Sequence, residues 1–94
     1  MQCLVDVRIR DREAALPHLP GHIAYLNAYF ESGDILCFGG YEDGTGGMMI
    51  VQADSPEALE ALLAADPLKA ADCAEWLVTG FAMKRLSGVL VEGA

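Results

Sequence analysis

The four prolines of this chain (Pro17, Pro20, Pro56 and Pro67) constrain its folding more than any other feature. Proline lacks a backbone N–H, so it fits the first turn of a helix, and it pushes the preceding residue out of helical conformation. Pro17 and Pro20 bracket one helix start. Apolar residues then recur at helical spacing through Leu19, Ile23, Leu26 and Phe30, until Ser32-Gly33 ends the run. On this helix His22 and Tyr29 fall together on the flank of the apolar stripe, about 80° from its centre at roughly 100° per residue. Pro56 opens a second helix. Ser55 is its cap, Glu57 suits the positive end of its dipole, and Leu59, Leu62 and Leu63 form its buried stripe. Pro67 forces that helix to finish near Ala65 and leaves Asp66 extended just beyond it.

The remaining segments read as strands. Cys3, Val5, Val7 and Ile9 alternate with Leu4, Asp6, Arg8 and Arg10 before Asp11-Arg12-Glu13 breaks the pattern. Ile35-Leu36-Cys37-Phe38 stops at Gly39-Gly40. Met48-Met49-Ile50-Val51 follows a glycine-rich loop over residues 41–47, which reads as a hairpin connection, with a mobile lid over a pocket as the alternative. A last strand spans about residues 75–85 and is apolar on both faces through Trp76, Leu77, Val78, Phe81 and Met83. The order strand, helix, strand, strand, helix, strand closes as an α+β, ferredoxin-like βαββαβ domain. It predicts a four-stranded antiparallel sheet with both helices on one face. The whole chain, 1–94, is read as one domain, with its core in about 1–85 and a short C-terminal tail, 86–94, whose residues 88–94 fit an edge strand or a partner-gripping arm.

Two helices cover one face of such a sheet only, yet 53% of the residues are hydrophobic. No run reaches the roughly 18 apolar residues that a membrane span requires, and the first residues lack the basic-then-apolar pattern of a signal peptide. A second copy stacked sheet on sheet is the simplest cover for the bare face. The expected partner is thus another copy of the chain: a homodimer forming a dimeric α+β barrel, with further assembly of dimers left open. The net charge of −8 opposes nucleic-acid binding. Three cysteines without paired spacing, Cys3, Cys37 and Cys73, read as free thiols in a reducing cytoplasm.

Few groups are left for chemistry. His22, in the first turn of its helix, sits among unpaired N–H groups whose potential favours a neutral imidazole. A carboxylate at Asp66 would fix the ring's tautomer and stabilise it once protonated, an opposition suited to proton transfer. Spacing alone leaves open a plainer reading, in which His22 borders a pocket and Asp66 caps a turn. Tyr25 and Tyr29 are candidate pocket residues, although helix aromatics commonly just pack. His18 lies in a proline-punctuated turn and is expected to be solvated. A His18–His22 metal pair lacks a third ligand and an unbroken helix, so no metal site is assigned.

The chain also resembles the YCII-related proteins, small dimeric α+β barrels. The likeness is carried in order by Pro20-Gly21-His22-Ile23-Ala24-Tyr25-Leu26, Gly33-Asp34-Ile35-Leu36, Gly39-Gly40, the segment 47–51, Asp54-Ser55-Pro56-Glu57-Ala58 and Asp66-Pro67-Leu68. That resemblance implies a catalytic dyad of His22 and Asp66, no cofactor, and proton transfer on a small cyclic or aromatic compound. The implied reaction is of lyase or isomerase type: one branch of the family removes chloride from a chlorinated hydroxyquinol, and muconolactone isomerases share the barrel. Relatives often carry a basic residue where this chain has Leu19, so the charge for an anionic substrate would have to come from Arg8 or Arg10 on the sheet's second face. The alternative is a non-catalytic dimeric protein that binds a small molecule or serves as an accessory subunit.

Overall fold

The computed structural model describes residues 1–87. Strand β1 (Gln2–Ile9) leads through a short helix α1 (Arg12–Ala15) and a 3-10 turn (Leu16–His18) into α2 (Leu19–Glu31). A hairpin of β2 (Ile35–Gly40) and β3 (Gly46–Gln52) follows, then α3 (Pro56–Ala64), the one-turn helix α4 (Pro67–Ala70) and β4 (Ala74–Phe81). The sheet order is β2-β3-β1-β4, and every neighbouring pair is antiparallel. This is the ferredoxin-like α+β arrangement.

The local chemistry explains each start and stop. Ser55 accepts a hydrogen bond from the Ala58 N–H at 3.1 Å and caps α3. The α2 helix ends at Ser32, and Gly33, with φ of 85°, makes the left-handed turn toward β2. Asp11 does end the β1 pattern, but it does so by capping a new helix: its carboxylate accepts the Ala14 N–H at 3.0 Å.

Strand register assigns the two faces of the sheet. Val5 pairs with Met49 and Val78, and Cys3 pairs with Val51 and Gly80, all pointing toward the helices. The core is built there from Cys3, Val5, Met49 and Val51 of the sheet with Leu26, Leu59, Leu63 and Leu68 of the helices. The opposite face carries Leu4, Met48, Ile50, Leu77 and Phe81, with the Asp6–Arg8 ion pair among them.

Several boundaries differ from those read in the sequence. The hairpin strands are longer, because Gly39-Gly40 and Gly46-Gly47 continue the ladder instead of leaving it. The last strand begins at Ala74 and ends at Phe81, well short of residue 85; β1, its sheet partner among the described residues, runs out at Gln2, which pairs with Phe81. The core face of α2 is wider than the apolar stripe: Leu26 is buried together with Tyr25, whereas Ile23 and Phe30 are 49% and 46% exposed. The edge strand or arm expected at 88–94 lies outside the described residues.

Candidate active site

His22 and Asp66 lie 44 residues apart in sequence and meet where α2 begins and α4 begins. The turn that presents Asp66 is fixed on both sides. Its backbone is extended at φ −67°, ψ 126°, the conformation that a following proline enforces. Its N–H donates to the Leu63 carbonyl at 3.2 Å, and its own carbonyl accepts from Lys69 N–H at 2.9 Å. Its side-chain Oδ1 accepts the Leu68 N–H at 3.0 Å and so caps α4. Gly21 brings the other partner close, since a Cβ there would touch the Pro67 ring at 3.4 Å. The next residue, His22, then places Nδ1 at 2.9 Å from Asp66 Oδ1.

The electrostatics of this contact give the ring a direction. The Asp66 side chain has no exposure to solvent and that of His22 has 13%. An ionised carboxylate only accepts hydrogen bonds, so the Nδ1–H donates and the lone pair of a neutral ring sits on Nε2. Asp66 Oδ2 is buried and finds no hydrogen-bond partner among the described residues. Removing His22 would therefore strand a buried acid with a single N–H for support, at a cost of several kcal/mol if it stayed charged.

His22 borders a cavity of about 240 Å³ between α2 and the sheet. Val7 and Ile9 of β1, Phe38 and Gly40 of β2, and Gly47 and Met49 of β3 form its floor, while Leu19, Ile23, Leu26 and Leu68 close it from the helices. Among the lining side chains only that of His22 carries nitrogen or oxygen. With Nδ1 engaged by Asp66, Nε2 is the ring nitrogen left to serve the cavity.

The other expected site residues are placed elsewhere. Tyr25 stacks near His22, with ring centroids 6.2 Å apart, but its hydroxyl is buried and donates to the Leu62 carbonyl at 2.8 Å. Burial, then the charge of Asp66 and the neighbouring Tyr29, push the Tyr25 hydroxyl up from its ordinary value, so it holds its proton. Tyr29 packs edge-on against Tyr25 at 5.1 Å and borders a shallow recess with Asp34 and Gln52, apart from the cavity. Arg8 points to the face away from the helices and donates to Asp6 at 2.9 Å, an exposed pair also touched by the Tyr41 hydroxyl at 2.7 Å. Neither tyrosine nor Arg8 lines the cavity. Conversely, Phe38, Met49 and Leu68 form its walls, and nothing in their spacing marked them beyond ordinary core patterning. Among the described residues no three His, Cys, Asp or Glu side chains are grouped to hold a metal ion.

A family model for the YCII-related domain matches residues 1–82. The chain belongs to the YCII-related family. Within it, the chain is similar to the uncharacterized protein YjpA of Bacillus subtilis (strain 168), at 31% identity over 68 residues, covering 72% of this chain and 80% of YjpA. Among solved structures, the YCII-related fold described above is similar to 5-chloro-2-hydroxyhydroquinone dehydrochlorinase (TftG) from Burkholderia phenoliruptrix AC1100, in complex with 2,5-dihydroxybenzoquinone. The TM-score is 0.72 at 21% identity, over 87% of this chain and 94% of that one. At that identity the likeness speaks to the fold.

Proposed function

We propose that this protein is a cofactor-free enzyme of lyase or isomerase type that moves a proton on a small cyclic or aromatic compound held in the cavity. His22 Nε2 acts as the base and Asp66 as the positioning residue that holds the proton on Nδ1. One observation carries the reading: among the described residues His22 is the single polar side chain lining the cavity, and a buried carboxylate lies 2.9 Å from its Nδ1. In the forward step a proton of the substrate passes to Nε2. In a lyase the freed electron pair forms a double bond as a leaving group, such as halide, departs from the adjacent carbon with its bonding pair; in an isomerase the pair displaces an existing double bond, and the proton returns from Nε2 at the far carbon. The dehydrochlorinase that shares this fold, bound to a quinone, supports a ring compound as occupant.

The test is turnover by His22→Ala on a panel of halogenated and hydroxylated single-ring compounds. The variant is expected to lose about 10²–10⁴-fold in rate, the usual range for removing a general base. A variant as active as the parent would overturn the mechanism. A second reading, a non-catalytic binding or accessory protein, is favoured by the presence of only one titratable group in the cavity lining, since many proton transfers need a separate acid and base. Saturable binding of ring compounds without turnover by the parent protein is the outcome that selects it.

The bare sheet face supports assembly as a homodimer in either reading. Leu77, Phe81 and Leu4 are 50%, 38% and 36% exposed and lie on one face with Met48 and Ile50. A contiguous apolar face of this kind is the usual mark of an interface, and a second copy offers it a matching face by two-fold symmetry.

A further inference from the structure

The cavity discriminates on charge, size and thickness, and each limit traces to named atoms. On charge, no lysine or arginine lines it among the described residues. His22 is the one titratable side chain among them and is already paired with Asp66, while Arg8 lies across the sheet. An anionic group entering the cavity would lose its water and gain no counter-ion, a transfer that costs far more than an apolar wall returns. On size, about 240 Å³ exceeds by less than twofold the roughly 150 Å³ that accommodates benzene. One substituted ring fits, and two do not.

Thickness is set by the floor. Gly40 and Gly47 are cross-strand partners, and Val7 continues their row on β1. The row faces the helices, and at its β2–β3 end it has no side chains. Gly47 is required by the backbone itself, because a Cβ there would collide with the Gly39 carbonyl oxygen. Gly40 has no such reason. Its φ is not in the left-handed region, and the nearest atom to an added Cβ is the Gly46 carbonyl oxygen at 3.8 Å, an ordinary contact. The sheet would accept a side chain at Gly40; the space it would fill is cavity.

We propose that the cavity selects an uncharged, flat, single-ring ligand lying on this glycine shelf, and that Gly40 is the specificity-determining position that sets the thickness admitted. The proposal rests on reading the cavity as a small-molecule site, but it does not depend on the proton-transfer step. Three probes isolate the limits: benzamide, benzoate (the same shape with a charge) and cyclohexanecarboxamide (uncharged but puckered). Each is titrated by NMR into the full chain, with the His22 ring signals as reporters. Benzamide is expected to bind about tenfold or more tighter than either of the others, the scale on which a pocket rejects a misfit. Gly40→Val should weaken benzamide by a similar factor. Gly80→Ala, outside the cavity lining and with nothing within 4 Å of the added Cβ, should leave it unchanged. If Gly40→Val fails to fold, Gly40→Ala gives the smaller version of the same loss, and the three-probe comparison on the parent chain stands regardless. Equal affinity for benzamide and benzoate, unimpaired binding by a folded Gly40 variant, or no binding of any probe overturns the proposal. The two readings separate cleanly: an active His22→Ala would sink the proton step and leave the shelf intact, whereas equal binding of the three probes by the parent would sink the shelf and leave the His22→Ala test standing.

Discussion

At the scale of single residues, the chemistry reduces to one imidazole and the acid behind it. Asp66 serves two masters, since its Oδ1 caps α4 through Leu68 N–H and also receives His22 Nδ1–H. Asp66→Asn separates these roles. An amide oxygen can still accept the Leu68 N–H, so the turn is preserved, but the charge that holds the proton on Nδ1 is gone. If Asp66 positions His22 in a working enzyme, the variant should lose about 10²–10⁴-fold in turnover. Nitrogen chemical shifts should then report a ring no longer held in the Nδ1–H tautomer, a signature that a purely structural role would not give. Full activity with an unchanged tautomer would remove Asp66 from the mechanism. The turn at Asp66 was legible in the chain because proline at 67 makes residue 66 extended, while its pairing with His22 was implied only by the family resemblance. What spacing could not supply was their meeting, which depends on how α2 packs beside α4.

At the scale of elements, the setting of α2 decides how deeply its residues reach the sheet. Counting apolar side chains points Ile23, Leu26 and Phe30 inward; Leu26 is buried, Ile23 reaches the cavity and Phe30 meets Phe38 while both stay about half exposed, and Tyr25, which hydropathy does not mark, is buried beside them. Hydropathy undervalues tyrosine and histidine because it charges them for polar atoms, yet here those atoms are satisfied, Tyr25 by the Leu62 carbonyl and His22 by Asp66. Once its polar end is paired, the large apolar body of a tyrosine favours burial. The same blindness hid α1 and α4, which are too short to show a period and announce themselves only through Asp11 and Asp66 as caps. The Tyr25–Leu62 bond ties α2 to α3 and can be weighed. Tyr25→Phe should cost about 1 kcal/mol in denaturant unfolding at neutral pH, the ordinary net worth of one hydrogen bond. The pH dependence follows from the raised value of the Tyr25 hydroxyl. A group whose value is raised on folding contributes stability that is fully present below its unfolded value, about 10 for tyrosine, and lost as pH rises beyond it. The parent should therefore lose stability above about pH 10 more steeply than the variant, and the gap between them should narrow. Parallel curves would mean that Tyr25 ionises as freely folded as unfolded.

At the scale of the whole molecule, the sheet has two faces with separate tasks. The helix side holds the core, His22 and the cavity; the other side offers Leu4, Met48, Ile50, Leu77 and Phe81 to solvent in the single chain. The sequence showed the imbalance as too much apolar surface for two helices to cover. It also placed Asp6 and Arg8 on that second face; what it did not show is that Tyr41 joins them there, in a cluster that belongs to the bare surface and not to the cavity. If a second copy covers this face, Leu77 lies within the contact, and a carboxylate there would be buried without a partner. Leu77→Glu should then convert a dimer into a monomer in light scattering. Because a dimer gains stability by mass action, the parent's melting temperature should rise with protein concentration and the variant's should not. A parent that is monomeric at every concentration would remove the second copy from the description. The two tasks should also come apart in the variant: its cavity lies on the far side of the sheet, so a monomeric Leu77→Glu that stays folded should still bind benzamide as the parent does. Loss of that binding would show that the partner copy shapes the site.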